Sequence, residues 1–145
     1  MNKREALLRA AGDDIRQDRD DYLRLRELMQ ALHECLLARD AARIDELNPR
    51  IAALIDAANN RAARRSKILK AFGLQQDAAS MRRLLAACPP PQGTELRQAW
   101  EQLGQLAAEC KRLNERNGRL LAMQHDILTQ LLAGASAQLY APQAY

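Results

Sequence analysis

Two histidines, three cysteines and 18 carboxylates are the groups of this 145-residue chain with the most scope for chemistry, and their spacing limits what they can do. A zinc-hydrolase helix needs histidines at i and i+4 with a glutamate between, because both imidazoles must reach one metal from one face. His33-Glu34 is followed by Leu37 where the second histidine belongs. A di-iron bundle needs Glu-x-x-His, yet Gln30 and Ala122 stand three residues before His33 and His125. Cys35, Cys88 and Cys110 form neither a CxxC pair nor an even-numbered disulfide framework. Cys35 and Cys110 fall on or beside apolar stripes and read as small hydrophobes, while Cys88, before the prolines, reads as a loop or helix-end thiol. No glycine loop is present to cradle a phosphate. The expectation is a protein that is not an enzyme and takes no metal or cofactor.

The charged clusters point the same way. Arg61, Arg64, Arg65, Lys67 and Lys70 gather toward the end of a helical stretch, where cations interact favourably with the negative end of the helix dipole. Asp13, Asp14, Asp18, Asp20 and Asp21 are interleaved with Arg16, Arg19 and Arg24, the pattern of a solvated, salt-bridged face. The net charge of +4 is spread along the chain. The basic cluster carries no run of stacking aromatics, so no nucleic-acid partner is expected.

The polar residues that do stand out are amides. From Leu96 an apolar stripe runs through Ala99, Leu103, Leu106, Cys110, Leu113, Leu120, Ile127 and Leu131 in steps of three and four. Asn117 and Gln124 sit inside that stripe with Asn114 alongside. A buried unpaired amide costs roughly 1–3 kcal/mol, so either these amides pair internally or the face is not permanently covered.

The elements that must position this stripe are all helical. The chain has no valine, two threonines and 3% aromatic residues, so strand formers are nearly absent. Lys3 to Ala38 forms a first helix on Leu8, Ala11, Ile15, Tyr22, Leu25, Met29, Leu32 and Leu36, a heptad-like series broken by Asp18. Gly12 and the acidic run predict a weak N-terminal part.

Asp40 caps a second helix ending at Phe72 with Gly73 as its stop, its inward positions including Ile44, Leu47, Ile51, Leu54, Ile55, Ala58, Ala62 and Leu69. Pro49 predicts a kink near Glu46 to Asn48, or a restart with Asn48 as cap. A short helix spans Gln76 to Ala87, closed off by Pro89-Pro90-Pro91-Gln92-Gly93. Thr94 caps a last helix running to Gly134, and Ala135 to Tyr145 follow as a flexible tail. The prediction is an all-α fold: an elongated antiparallel bundle of three long helices plus one short one, a single domain over 1–134 with a tail over 135–145. No signal peptide or long apolar run is read, so a soluble, reduced, cytoplasmic protein without membrane insertion is expected.

The run Leu113-Asn114-Glu115-Arg116-Asn117-Gly118-Arg119-Leu120-Leu121, followed by Leu131-Leu132 and Leu139-Tyr140-Ala141-Pro142-Gln143, resembles the C-terminal region of FlgN-type flagellar export chaperones. The tail departs from that family's pattern at Ala141, where glycine is common, and at Ala144. The resemblance implies a non-enzymatic type III export chaperone whose last helix holds an amphipathic helix of the hook–filament junction proteins FlgK and FlgL. Carried over, the client-binding positions are Asn114, Asn117, Leu120, Leu121, Gln124, Ile127, Leu128 and Leu131. Leu139 and Tyr140 would dock to the cytoplasmic domain of the export gate. The competing reading is a structural helical adaptor or coiled-coil oligomer with no client, and a homodimer stays open under either.

Overall fold

The computed structural model describes residues 2–140, and the side chains of 2–133. It contains α1 (Lys3–Ala38), α2 (Ala41–Ala71), α3 (Ala78–Ala86) and α4 (Gln92–Tyr140). The three long helices run up, down and up, so α1 and α4 lie parallel with α2 antiparallel to both. Helix α1 packs along both α2 and α4, α3 bridges α2 and α4, and the α2 and α4 backbones do not approach each other directly.

Local chemistry sets the ends of the elements. Asn2, Asp40 and Asp77 each accept a hydrogen bond from the backbone three residues on, capping α1, α2 and α3. Gly73, at φ +72°, ends α2 with its N–H on the carbonyl of Lys70 and that of Leu74 on Leu69, a Schellman cap that tucks Leu74 against the core. Helix α1 ends in the same way, but on Arg39 at φ 55°.

Two bounds of α4 are corrected, and one alternative at Pro49 falls away. Pro49 does not restart α2, which is one continuous helix; proline removes one backbone donor, while Leu47 and Ile51 on either side are buried. Helix α4 begins at Gln92 rather than after Thr94, because the Gly93 N–H is already satisfied by the carbonyl of Pro89. Its backbone also stays helical through Ala135 to Tyr140, beyond the stop expected at Gly134; Ala141 to Tyr145 lie outside the described residues.

The N-terminal part of α1, expected to be weak, is instead an anchor of the bundle. Ala11, Ile15 and Asp18 are wholly buried. A Cβ at Gly12 would meet both methyls of Leu96 at 3.2 and 3.3 Å, so its absence lets α4 close on α1. Nor are the acidic and basic clusters separate solvated faces. Asp14 takes a two-pronged grip from Arg64 at 2.7 and 2.9 Å. Asp18 accepts from Arg61 and Arg65, and Asp21 accepts from Arg61. The Arg65 guanidinium also lies 5.7 Å from the centre of the Trp100 ring, which ties the cluster to α4.

This ionic layer separates two apolar clusters. One joins Ala11, Ile15, Ile68, Leu69, Met81, Leu85, Leu96 and Ala99 at the α3 end. The other joins Leu25, Leu28, Met29, Leu47, Ile51 and Cys110 toward the α1–α2 turn.

Candidate functional site

Three side chains of α4, seven residues apart, reach across to carbonyls of α1. The Cys110 thiol donates to Tyr22 O at 3.6 Å, Asn117 Nδ2 to Met29 O at 2.9 Å, and Gln124 Nε2 to Leu36 O at 2.7 Å. Each pair is separated by 88 residues, so the two parallel helices keep one register through two heptads. The Asn117 Nδ2 is spent on Met29, so its Oδ1 must accept from His33 Nδ1 at 3.0 Å, which makes that ring nitrogen the protonated one. Two of the three amides are therefore satisfied inside the protein.

The same register shows where the pairing stops. Ala38, the last residue of α1, lies level with position 126 of α4, and Ile127 to Tyr140 continue about 20 Å further at 1.5 Å per residue. The apolar stripe does not stop there. Ile127 is 41% exposed, Leu128 55%, Leu131 66% and Leu132 61%, with Leu121 and Met123 similarly open at the base of the overhang. Apolar side chains clustered in this way on one helix mark an interaction surface more often than scattered ones do.

Beside the base of the overhang, the splay of α2 from α4 leaves a cleft of about 500 Å³. Leu32 and Leu36 of α1, Ile44 and Asn48 of α2, and Asn114, Gly118 and Leu121 of α4 line it, with Asn117 and Gln124 beneath. Arg39, in its left-handed conformation, stands at one edge. A Cβ built at Gly118 meets nothing within 4 Å, so this glycine keeps one wall of the cleft low.

The residues singled out by sequence thus divide. Asn114 and Leu121 line the cleft and are exposed, Ile127, Leu128 and Leu131 form the open face of the overhang, and Leu120 is half-buried. Asn117 and Gln124 are held by α1. Leu139 and Tyr140 lie on the last helical turn of α4, and their side chains fall outside the described residues. Sequence reasoning missed the wall supplied by α1 and α2, although Leu32, Leu36 and Ile44 were all visible as stripe positions. It also missed Met123 and Leu132, whose exposure depends on where α1 ends.

Among the described residues, no group of three or more histidine, cysteine or acidic side chains is placed to hold a metal ion. Burial pushes the Cys110 thiol up to about 11, which leaves it protonated and unreactive at neutral pH. No helix among the described residues is long and apolar enough to cross a membrane.

Compared with known proteins, residues 13–145 match the model of the family described as FlgN protein. No curated protein and no solved structure matches the chain.

Proposed function

This chain belongs to the FlgN family of flagellar export chaperones, and we propose that it binds the terminal helical segments of the hook–filament junction proteins FlgK and FlgL through the overhanging face of α4 and the adjoining cleft. The observation that carries this reading is the continuation of the α4 apolar stripe past the end of α1. Up to Gln124 that stripe is covered by a parallel helix of the same chain, and beyond it Ile127, Leu128 and Leu131 are open.

An incoming amphipathic helix would take up the covering role that α1 gives up at Ala38. Full burial of a Leu or Ile contributes roughly 1.5–3 kcal/mol. These side chains are already partly covered by their own helix, so about half of that is available from each. Four or five such residues contribute roughly 3–7 kcal/mol, and burial of the client's facing apolar side chains adds a comparable amount against the cost of association. Leu121 and Asn114 would meet the part of the client that enters the cleft, while Leu120, Asn117 and Gln124 shape the surface from beneath. Held in this way, the client's apolar helix is kept from aggregation and premature assembly. Leu139 and Tyr140, at the far tip of α4, would serve the separate step of docking to the cytoplasmic domain of the export gate.

Calorimetry of the purified chain against the terminal segments of FlgK and FlgL tests the reading, with submicromolar one-to-one binding expected. Ile127→Asp together with Leu131→Asp should abolish it at unchanged helicity, because both side chains lie outside the bundle core. Absence of binding to either segment would reject this client assignment. The tip is tested apart: Tyr140→Ala should leave client affinity intact and weaken binding to the gate domain.

A further inference from the structure

The gap between α2 and α4 is treated differently at its two ends. At one end α3 bridges the two helices and buries Met81, Leu84 and Leu85, at i, i+3 and i+4. Its nine residues make a helix about 14 Å long. At the other end the same gap is the open cleft, whose α4 wall from Asn114 to Gln124 is about 15 Å long. The cleft thus has the length of the helix that the chain itself uses as a filler. Its lining by Leu32, Leu36 and Ile44 suits a similar apolar face.

Charge distinguishes the two ends. Helix α3 brings its own cation, Arg82, to Glu101 of α4 at 3.4 Å. Around the cleft the polarity is reversed: Arg39 is the one formally charged side chain in the lining, and among the described residues no carboxylate pairs with it. Carboxylates near it in the chain are engaged elsewhere. Asp40 accepts from the backbone N–H of Arg43 at 3.1 Å, and Glu46 pairs with the Arg43 side chain at 2.9 Å. Asn48 and Asn114 add two exposed amides to the rim.

The backbone at Arg39 indicates that this cation is kept for its side chain. It holds the left-handed position that closes α1, at φ 55°. Glycine takes that conformation without a Cβ penalty and is the usual residue at such caps, with asparagine next. The capping bonds are made by the backbone N–H of residue 39 and its neighbour, so glycine would close the helix equally well. A residue that persists against its local preference points to a function for its side chain.

From these observations we infer that the cleft takes a short acidic amphipathic helix of about three turns, in the fourth-helix position that α3 fills at the opposite end. Arg39 sets the preference by pairing with a carboxylate of that segment, a bond roughly twice as strong as a neutral hydrogen bond. The identity of the occupant rests on the proposed client site, whereas the charge preference of the cleft does not.

Two synthetic helical peptides with the same apolar residues, one carrying glutamate and the other lysine at the polar positions, test the preference. Titrated into the isotope-labelled full chain at low salt, the glutamate peptide should shift the backbone resonances of Ile44, Asn114 and Gly118. It should bind roughly fivefold more tightly than the lysine peptide. Equal shifts from both peptides, or shifts from neither, overturn the inference. The net charge of +4 attracts any acidic peptide, so Arg39→Gly decides the role of the side chain. That variant should raise the melting temperature and lower the affinity for the glutamate peptide roughly fivefold. A residue serving the cap alone would give the first change without the second, which overturns the role of Arg39.

The FlgK and FlgL terminal segments, assayed on the same two chains, separate this inference from the client reading. Binding that Arg39→Gly weakens joins the two, and binding that it leaves unchanged overturns Arg39 as a determinant of client choice. No binding of either segment, alongside a glutamate peptide seated in the cleft, would sink the client assignment and leave the charge preference standing.

Discussion

The side-chain amide of Gln124 donates to the main-chain carbonyl of Leu36 at 2.7 Å, seven residues along both helices from the Asn117–Met29 bond at 2.9 Å. These two bonds fix how far α4 slides along α1, and thereby how much of α4 is left uncovered. Asn117 is buried, so Asn117→Ala should cost about 1–3 kcal/mol; Gln124→Ala, at a half-buried position, should cost roughly 0.5–1.5 kcal/mol. Urea unfolding followed by circular dichroism reads both, and an unchanged midpoint for Asn117→Ala would show that the bonds form without holding the register.

The ionic layer should be the most sensitive point of the bundle. Asp18 is completely buried and serves both Arg61 and Arg65, so Asp18→Ala leaves the largely buried Arg65 without a carboxylate and Arg61 with Asp21 alone. Removing one partner of a buried ion pair costs about 3–5 kcal/mol, a large share of the 5–15 kcal/mol that typically holds a domain together. Adding Arg65→Met to Asp18→Ala should restore part of the loss, because the stranded charge and not the missing attraction dominates. If the double variant is the less stable by the full sum of two independent changes, that account fails.

Much of the fold was legible because helical periodicity is a local property. The bounds of α1, the cap at Asp40 and the stop at Gly73 follow from residues within a turn of each boundary. The partners across the interface were less accessible. Asp14, Asp18 and Asp21 share one face of α1, and Arg61, Arg64 and Arg65 share one face of α2, but each set alone looks like a solvated stripe; only the hairpin brings them together. The off-by-one at Ala62, expected inside and found exposed beside buried Arg61, has the same origin. For the candidate site the stripe was readable, but the division at Gln124 between covered and open was not, since it depends on the 88-residue register between α1 and α4.

Thiol chemistry gives a pH-dependent check on the α1–α4 seam. Burial raises the Cys110 thiol to about 11, against about 8.5 in an unfolded chain. The folded state therefore resists ionisation. The contribution is fully present below the unfolded value and is lost as pH rises through 8.5 toward the folded value near 11. The difference in urea midpoint between the natural chain and Cys110→Ala should shrink across that interval. At pH 8, iodoacetamide should modify the half-buried Cys35 and Cys88 and spare Cys110 until denaturant is added; rapid labelling of all three would contradict the seam described.

Two glycines should respond in opposite ways, and the contrast separates folding from binding. At Gly93 an added Cβ would overlap the carbonyl oxygen of Cys88, a backbone atom that cannot swing aside. Gly93→Ala should force the start of α4 to move and cost 2 kcal/mol or more, on the order of a steric clash in a packed core. At Gly118 the same Cβ meets nothing, and replacing a mid-helix glycine by alanine stabilises by about 0.5–1 kcal/mol. A large side chain there reaches into the cleft, so Gly118→Phe should keep the fold and weaken client binding severalfold, whereas Gly118→Ala should raise the melting temperature with little change in affinity. Full client affinity in Gly118→Phe would place the client on the overhang alone and leave the cleft out of the site.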